Sequence, residues 1–105
     1  MRTFTPAERS RRTVLLARGA KQALADAVDP RLEAELDRID RSAADRWARE
    51  ATAALRLLEK AKDDLAHAKA VERAAPRKDH PAARAARKRA EQRVRDTERA
   101  ARKYR

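Results

Sequence analysis

The chain has 105 residues, a mass of 11.9 kDa and a formal net charge of +11, with 43% charged residues, 3% aromatic ones, a single Gly and no Cys. Of its 44 hydrophobic residues 26 are Ala, so 18 larger apolar side chains must supply the interior of a domain already too small to bury much surface. These figures exclude a transmembrane span, a disulfide scaffold and a Cys-based metal site, argue against an all-β fold, and leave a basic all-α protein.

Thr5-Pro6-Ala7-Glu8 reads as a capping box, with Pro6 where a missing N–H costs nothing and Phe4 before it as a staple residue. The spacing predicts a helix over 6–28. Its apolar stripe is expected to be Leu16, Ala17, Ala20, Ala23, Leu24, Ala27 and Val28, with Arg11, Arg18, Gln22 and Asp26 facing water. Leu15 falls outside that stripe, as an oligomer contact or simply an exposed Leu. Gly19, with Ala23 and Ala27, suggests a close approach of two helices.

Asp29-Pro30 stops this helix and caps the next, because the residue before Pro is pushed out of the α region and Asp is a good N-cap. From Pro30 no Gly or Pro recurs until Pro76, and Ala43, Trp47, Ala51, Ala54, Leu58, Ala61, Leu65 and Ala68 keep a nearly heptad rhythm. The reading is one helix over about 30–75. A restart at Ser42, which could cap with Asp45, is the alternative. Trp47, Ala51, Ala54, Leu58 and Leu65 form the expected core seam, widened by Leu55 and Leu57 as if more than one partner covered it. Trp47 is a core anchor in this reading, or a platform for stacking on a base.

Pro76-Arg77-Lys78-Asp79-His80-Pro81 is a linker, and a final helix follows over 81–104 with the stripe Ala83, Ala86, Ala90, Val94, Thr97, Ala101 and Tyr104. The expected fold is therefore all-α. A long central helix carries an N-terminal and a C-terminal helix that fold back on it as an antiparallel bundle or coiled coil. The domain division is 1–75 as a hairpin core, 76–81 as linker and 82–105 as a basic helix. With burial resting mainly on Ala, the last helix is expected to be the least stable part.

Charge is the most informative feature. The net is +4 over 1–28, −1 over 29–75 and +8 over 76–105. Codon bias in a GC-rich genome explains much of the Arg and Ala content, but not the excess of basic over acidic groups. Arg84, Lys88, Arg95, Arg99 and Arg102 fall within about 60° on the last helix at 100° per residue, opposite the apolar stripe. They span roughly 27 Å, which suits contact with phosphate backbones. Arg11 and Arg18 add to the basic surface. The other readings of this face are a solvated surface, neutralised by Asp29, Glu33, Glu35, Asp37, Asp40 and Asp45 of this or another chain, or a contact for an acidic protein.

Other chemistries lack residues. His67 follows Asp63 by four, but His80 is the only other His, so no metal site is expected. The two Ser residues and the absence of phosphate-loop or dinucleotide fingerprints give no catalytic constellation, so no enzyme, cofactor or small-molecule substrate is expected. A helix-turn-helix over 13–41 would place Glu33, Glu35 and Asp37 against phosphate. The Ala-rich faces offer too little for membrane insertion, and no apolar stretch is long enough for a secretion signal, which gives a cytoplasmic expectation.

Thr5-Pro6-Ala7-Glu8-Arg9 and Leu16-Ala17-Arg18-Gly19-Ala20-Lys21, followed by a long Ala/Arg helix, resemble small all-helical proteins of high-GC actinobacteria, some encoded near plasmid-like mobile elements. That group has no assigned chemistry. The resemblance implies a bacterial cytoplasmic accessory protein and supplies no site residues. The functional expectation is a non-enzymatic protein that binds DNA or RNA through phosphate contacts. The alternative is a helical interaction module or homodimer joined through the seam over 47–68.

Overall fold

The computed structural model describes every residue except Val28. It consists of α1 (Pro6–Leu24), α2 (Pro30–Ala74) and α3 (His80–Arg102), with no strand among the described residues. The expected all-α architecture with a long central helix is the one observed. Helix α2 passes unbroken through Ser42 and Asp45, so the restart there is not used. Without Gly or Pro over 31–75 nothing forces a break. Two compact units are formed, Met1–Arg49 and Glu50–Arg105.

In the first unit α1 lies antiparallel to the start of α2. The Thr3 N–H donates to the Ala43 carbonyl at 3.0 Å, Arg11 reaches Glu35, and Gly19 sits against Leu32. The capping box forms as read: the Glu8 N–H donates to Thr5 Oγ1 at 3.1 Å and the Thr5 N–H to Glu8 Oε1 at 2.9 Å. Phe4, read as a staple residue, packs on a cation of α1. It lies beneath the Arg12 guanidinium, 5.3 Å from its ring centre, while Arg12 Nε donates to Asp40 at 3.1 Å.

The face that α1 buries differs from the expected one. Leu15 is 1% exposed, whereas Leu16 is 48% and Leu24 92% exposed, and Ala17, Ala20, Ala23 and Ala27 are exposed as well. The stripe is rotated because Glu8, Arg12, Leu15 and Gly19 share one face at 3–4 residue spacing. Glu8, Arg12 and Gly19 meet Arg46, Asp40 and Leu32 of α2, and Leu15, between Arg12 and Gly19 in sequence, is buried. An Ala stripe gains little from burial, so bonds to Arg46 and Asp40 and the close pass at Gly19 decide the phase.

Helix α1 also stops earlier than expected. Asp26 adopts φ 58°, the Ala27 N–H donates to the Gln22 carbonyl at 2.9 Å and the Asp26 N–H to Ala23 at 3.1 Å. This is a Schellman termination with Asp in the left-handed position. The expected last stripe residue, Val28, lies outside the described residues. Asp29 caps α2 as read, its Oδ1 accepting the Arg31 N–H at 3.0 Å.

In the second unit α3 runs antiparallel to the rest of α2, as Arg87–Glu72, Arg93–Asp64 and Tyr104–Glu50 show by pairing in reverse order. Ala51, Leu58 and Ala61 of α2 and Ala83, Ala90 and Ala101 of α3 are buried, with Val94, Thr97 and Tyr104 half-buried, so the stripe read for α3 is the packed one. Burying Leu58 contributes about 1.5–3 kcal/mol. Leu55 and Leu57 stay 41% and 59% exposed, so the expected widening of the seam is not used. Helix α3 begins at His80, one residue before Pro81, and ends at Arg102, two residues short of the expected end. Asp79 at its N-cap makes no side-chain cap bond.

Candidate nucleic-acid interface

Packing the Ala stripe of α3 onto α2 fixes which of its side chains face water. Arg84, Lys88, Arg95, Arg99 and Arg102 are all exposed. On a regular helix they share a sector of about 60° and rise roughly 27 Å from first to last. Among the described residues none of the five pairs with a carboxylate; Arg95 shares Gln92 Oε1 at 2.9 and 3.3 Å.

Several other cations in the chain pair with carboxylates inside the fold. Arg46 donates to the Thr3 carbonyl and to Glu8, both at 2.6 Å. Arg12 and Arg2 converge on Asp40. Arg87 bridges Glu72 and Glu91, and its bonds first to Glu91 and then to Glu72 push its pKa further up. Arg11 belongs to this group: Nε and Nη2 grip Glu35 at 2.8 and 3.1 Å, which raises the Arg11 pKa and holds Glu35 below the usual carboxylate range. Arg18 is exposed, and its charge contributes to lowering Glu35.

The pairings bear on the acidic residues that were candidates to neutralise the basic face. Glu35 and Asp40 take their bonds from Arg11, Arg2 and Arg12. The seam residues Ala51 and Leu58 are buried, Ala54 and Leu65 half-buried, and Trp47 is half-buried in the first unit. Sequence reasoning missed Arg12, Arg46 and Arg87 as structural cations. Arg46 and Arg87 stand directly beside stripe positions, next to Trp47 and Ala86, and that flank position was the available signal.

Among the described residues no helix is long and apolar enough to cross a membrane, and no three of His, Asp and Glu come close enough to hold a metal ion. No protein-family model, curated protein or solved structure matches the chain.

Proposed function

We propose that this is a non-enzymatic cytoplasmic protein that binds nucleic acid through phosphate contacts made by Arg84, Lys88, Arg95, Arg99 and Arg102, with little dependence on base sequence. One observation carries the reading: these five cations are exposed, aligned and, among the described residues, without carboxylate partners, while Arg2, Arg11, Arg12, Arg46 and Arg87 are spent on ion pairs within the fold. Leaving five like charges on one helix face costs self-repulsion, which a phosphate backbone relieves. Arg11 and Arg18 belong to the first unit, where Arg11 would have to release Glu35 to take a phosphate.

Each phosphate neutralised releases counterions, so five contacts give an affinity falling with salt at a log–log slope of about −4.5 on duplex DNA. Titration of the full chain between 50 and 200 mM salt checks this. The triple variant Arg95→Gln, Arg99→Gln, Arg102→Gln should lose a little under three units of slope, as each contact carries about 0.9. No binding at low salt, or an unchanged slope in the variant, refutes the proposal. The competing reading, a homodimer joined through the seam over 47–68, has less support, because Ala51, Leu58 and Ala61 are already buried within a single chain. A mass that doubles with concentration in light scattering would favour it.

A further inference from the structure

We infer that α3 lies across a groove of a double helix and touches both phosphate strands, rather than following one strand along its length. This rests on the nucleic-acid reading above and specifies its ligand.

The basic row is not evenly spaced. Arg84 and Lys88 form one cluster, about 6 Å apart along the axis. Arg95, Arg99 and Arg102 form a second, about 10 Å long, and the cluster centres are about 19 Å apart. Between them the same side of the helix presents Glu91 and Gln92. The Glu91 carboxylate is pinned in this gap by Arg87 Nη1 at 2.7 Å. A single strand laid along the row would find no free cation for its phosphates in this gap, because Arg87 is already held by Glu91 and Glu72. In a duplex crossed by the helix, the middle of the row faces open groove. A major groove about 12 Å wide leaves its flanking phosphates within side-chain reach of both clusters.

The aromatic residues point the same way. Proteins that hold single strands stack the unpaired bases on aromatic rings. Phe4 is covered by Arg12, Trp47 is half-buried in the seam, and Tyr104 lies on the apolar side of α3 with its hydroxyl bonded to Glu50 at 3.1 Å. The basic sector itself carries no ring to receive a base. Its chemistry reads two rows of phosphate, which duplex DNA and duplex RNA both supply.

The test is fluorescence anisotropy of the full chain with a 20-base-pair DNA duplex, the same duplex as RNA, and each single strand, at 50 mM salt. At least one duplex should bind tenfold or more tightly than its own single strand, and the tighter duplex identifies the source. Gln92→Lys, which places a cation in the gap, should leave the duplex salt slope unchanged. Single strands binding as tightly as the duplexes, or a Gln92→Lys slope steeper by about one contact, overturns the groove crossing while leaving nucleic-acid binding in place. No binding to any of the four overturns both.

Discussion

Arg46 closes the N-terminal cap of α1 from α2: its Nη1 donates at 2.6 Å to the same Glu8 oxygen that accepts the Thr5 N–H. The Arg46 bond, and next the Thr5 backbone bond, hold the Glu8 carboxyl below the usual range, as Arg11 does for Glu35. A carboxyl whose pKa is lower in the folded than in the unfolded chain adds stability while ionised. That contribution is complete above the unfolded value and disappears as pH falls through the folded one. Thermal midpoints followed by Trp47 fluorescence should therefore be flat from about pH 7 to 5.5 and fall below about pH 4.3. Glu8→Gln and Glu35→Gln should start lower at neutral pH and lose less in acid. A variant that falls as steeply as the parent would contradict this account.

A Cβ built on Gly19 would lie 3.2 Å from Leu32 Cδ2. Gly19→Ala sets a helix-propensity gain of about 1 kcal/mol against a small shift of a flexible side-chain end, and stability should change little. Gly19→Leu has no such escape and should destabilise by about 1–3 kcal/mol through overpacking. Urea midpoints of the two variants separate these outcomes, and equal midpoints would mean the helices do not pass closely here.

Asp26 occupies the left-handed position that ends α1, with φ 58°. A Gly there removes the Cβ penalty, so Asp26→Gly should raise stability by about 0.5 kcal/mol. Asp26→Val should lower it by about 1–2 kcal/mol. Thermal melts of the pair, moving in opposite directions from the parent, are the expected result.

The buried side chains of α3 are Ala83, Ala90 and Ala101. Their area offsets little of the backbone ordering cost of about 1–2 kcal/mol per residue. Amide hydrogens over 81–102 should therefore exchange faster than those over 51–65, whose helix also carries Leu58. Leu58→Ala should cost about 2–5 kcal/mol and speed exchange in α3 further. Equal protection in both helices would show that α3 is held by more than its Ala stripe.

Much of this was readable from the sequence, and the exceptions share a cause. The caps at Thr5 and Asp29 are legible because they are local: a side chain meets a backbone N–H two or three residues away. The stripe of α3 is legible because no competing apolar face exists on that helix. The phase of α1 is not, since Leu15 and Leu16 are equally apolar and Ala lies on both sides of the choice. What decides it is a set of long-range partners, Arg12 with Asp40 and Glu8 with Arg46, which no local spacing encodes. The basic row was legible as a pattern. That its members stay unpaired while Arg11 does not depends on where Glu35 falls across the first unit.

Six of the nine buried side chains among the described residues are Ala: Ala43, Ala51, Ala61, Ala83, Ala90 and Ala101. Most proteins are injured when an interior side chain is trimmed, since a cavity opens. Here trimming has almost nothing left to remove at those six positions, and the hazard lies in growth. One-base changes that turn Ala into Val, Thr or Glu would wedge α3 from α2, or α1 from α2 at Ala43, so this protein's tolerance to mutation should be governed by how much volume a substitution adds.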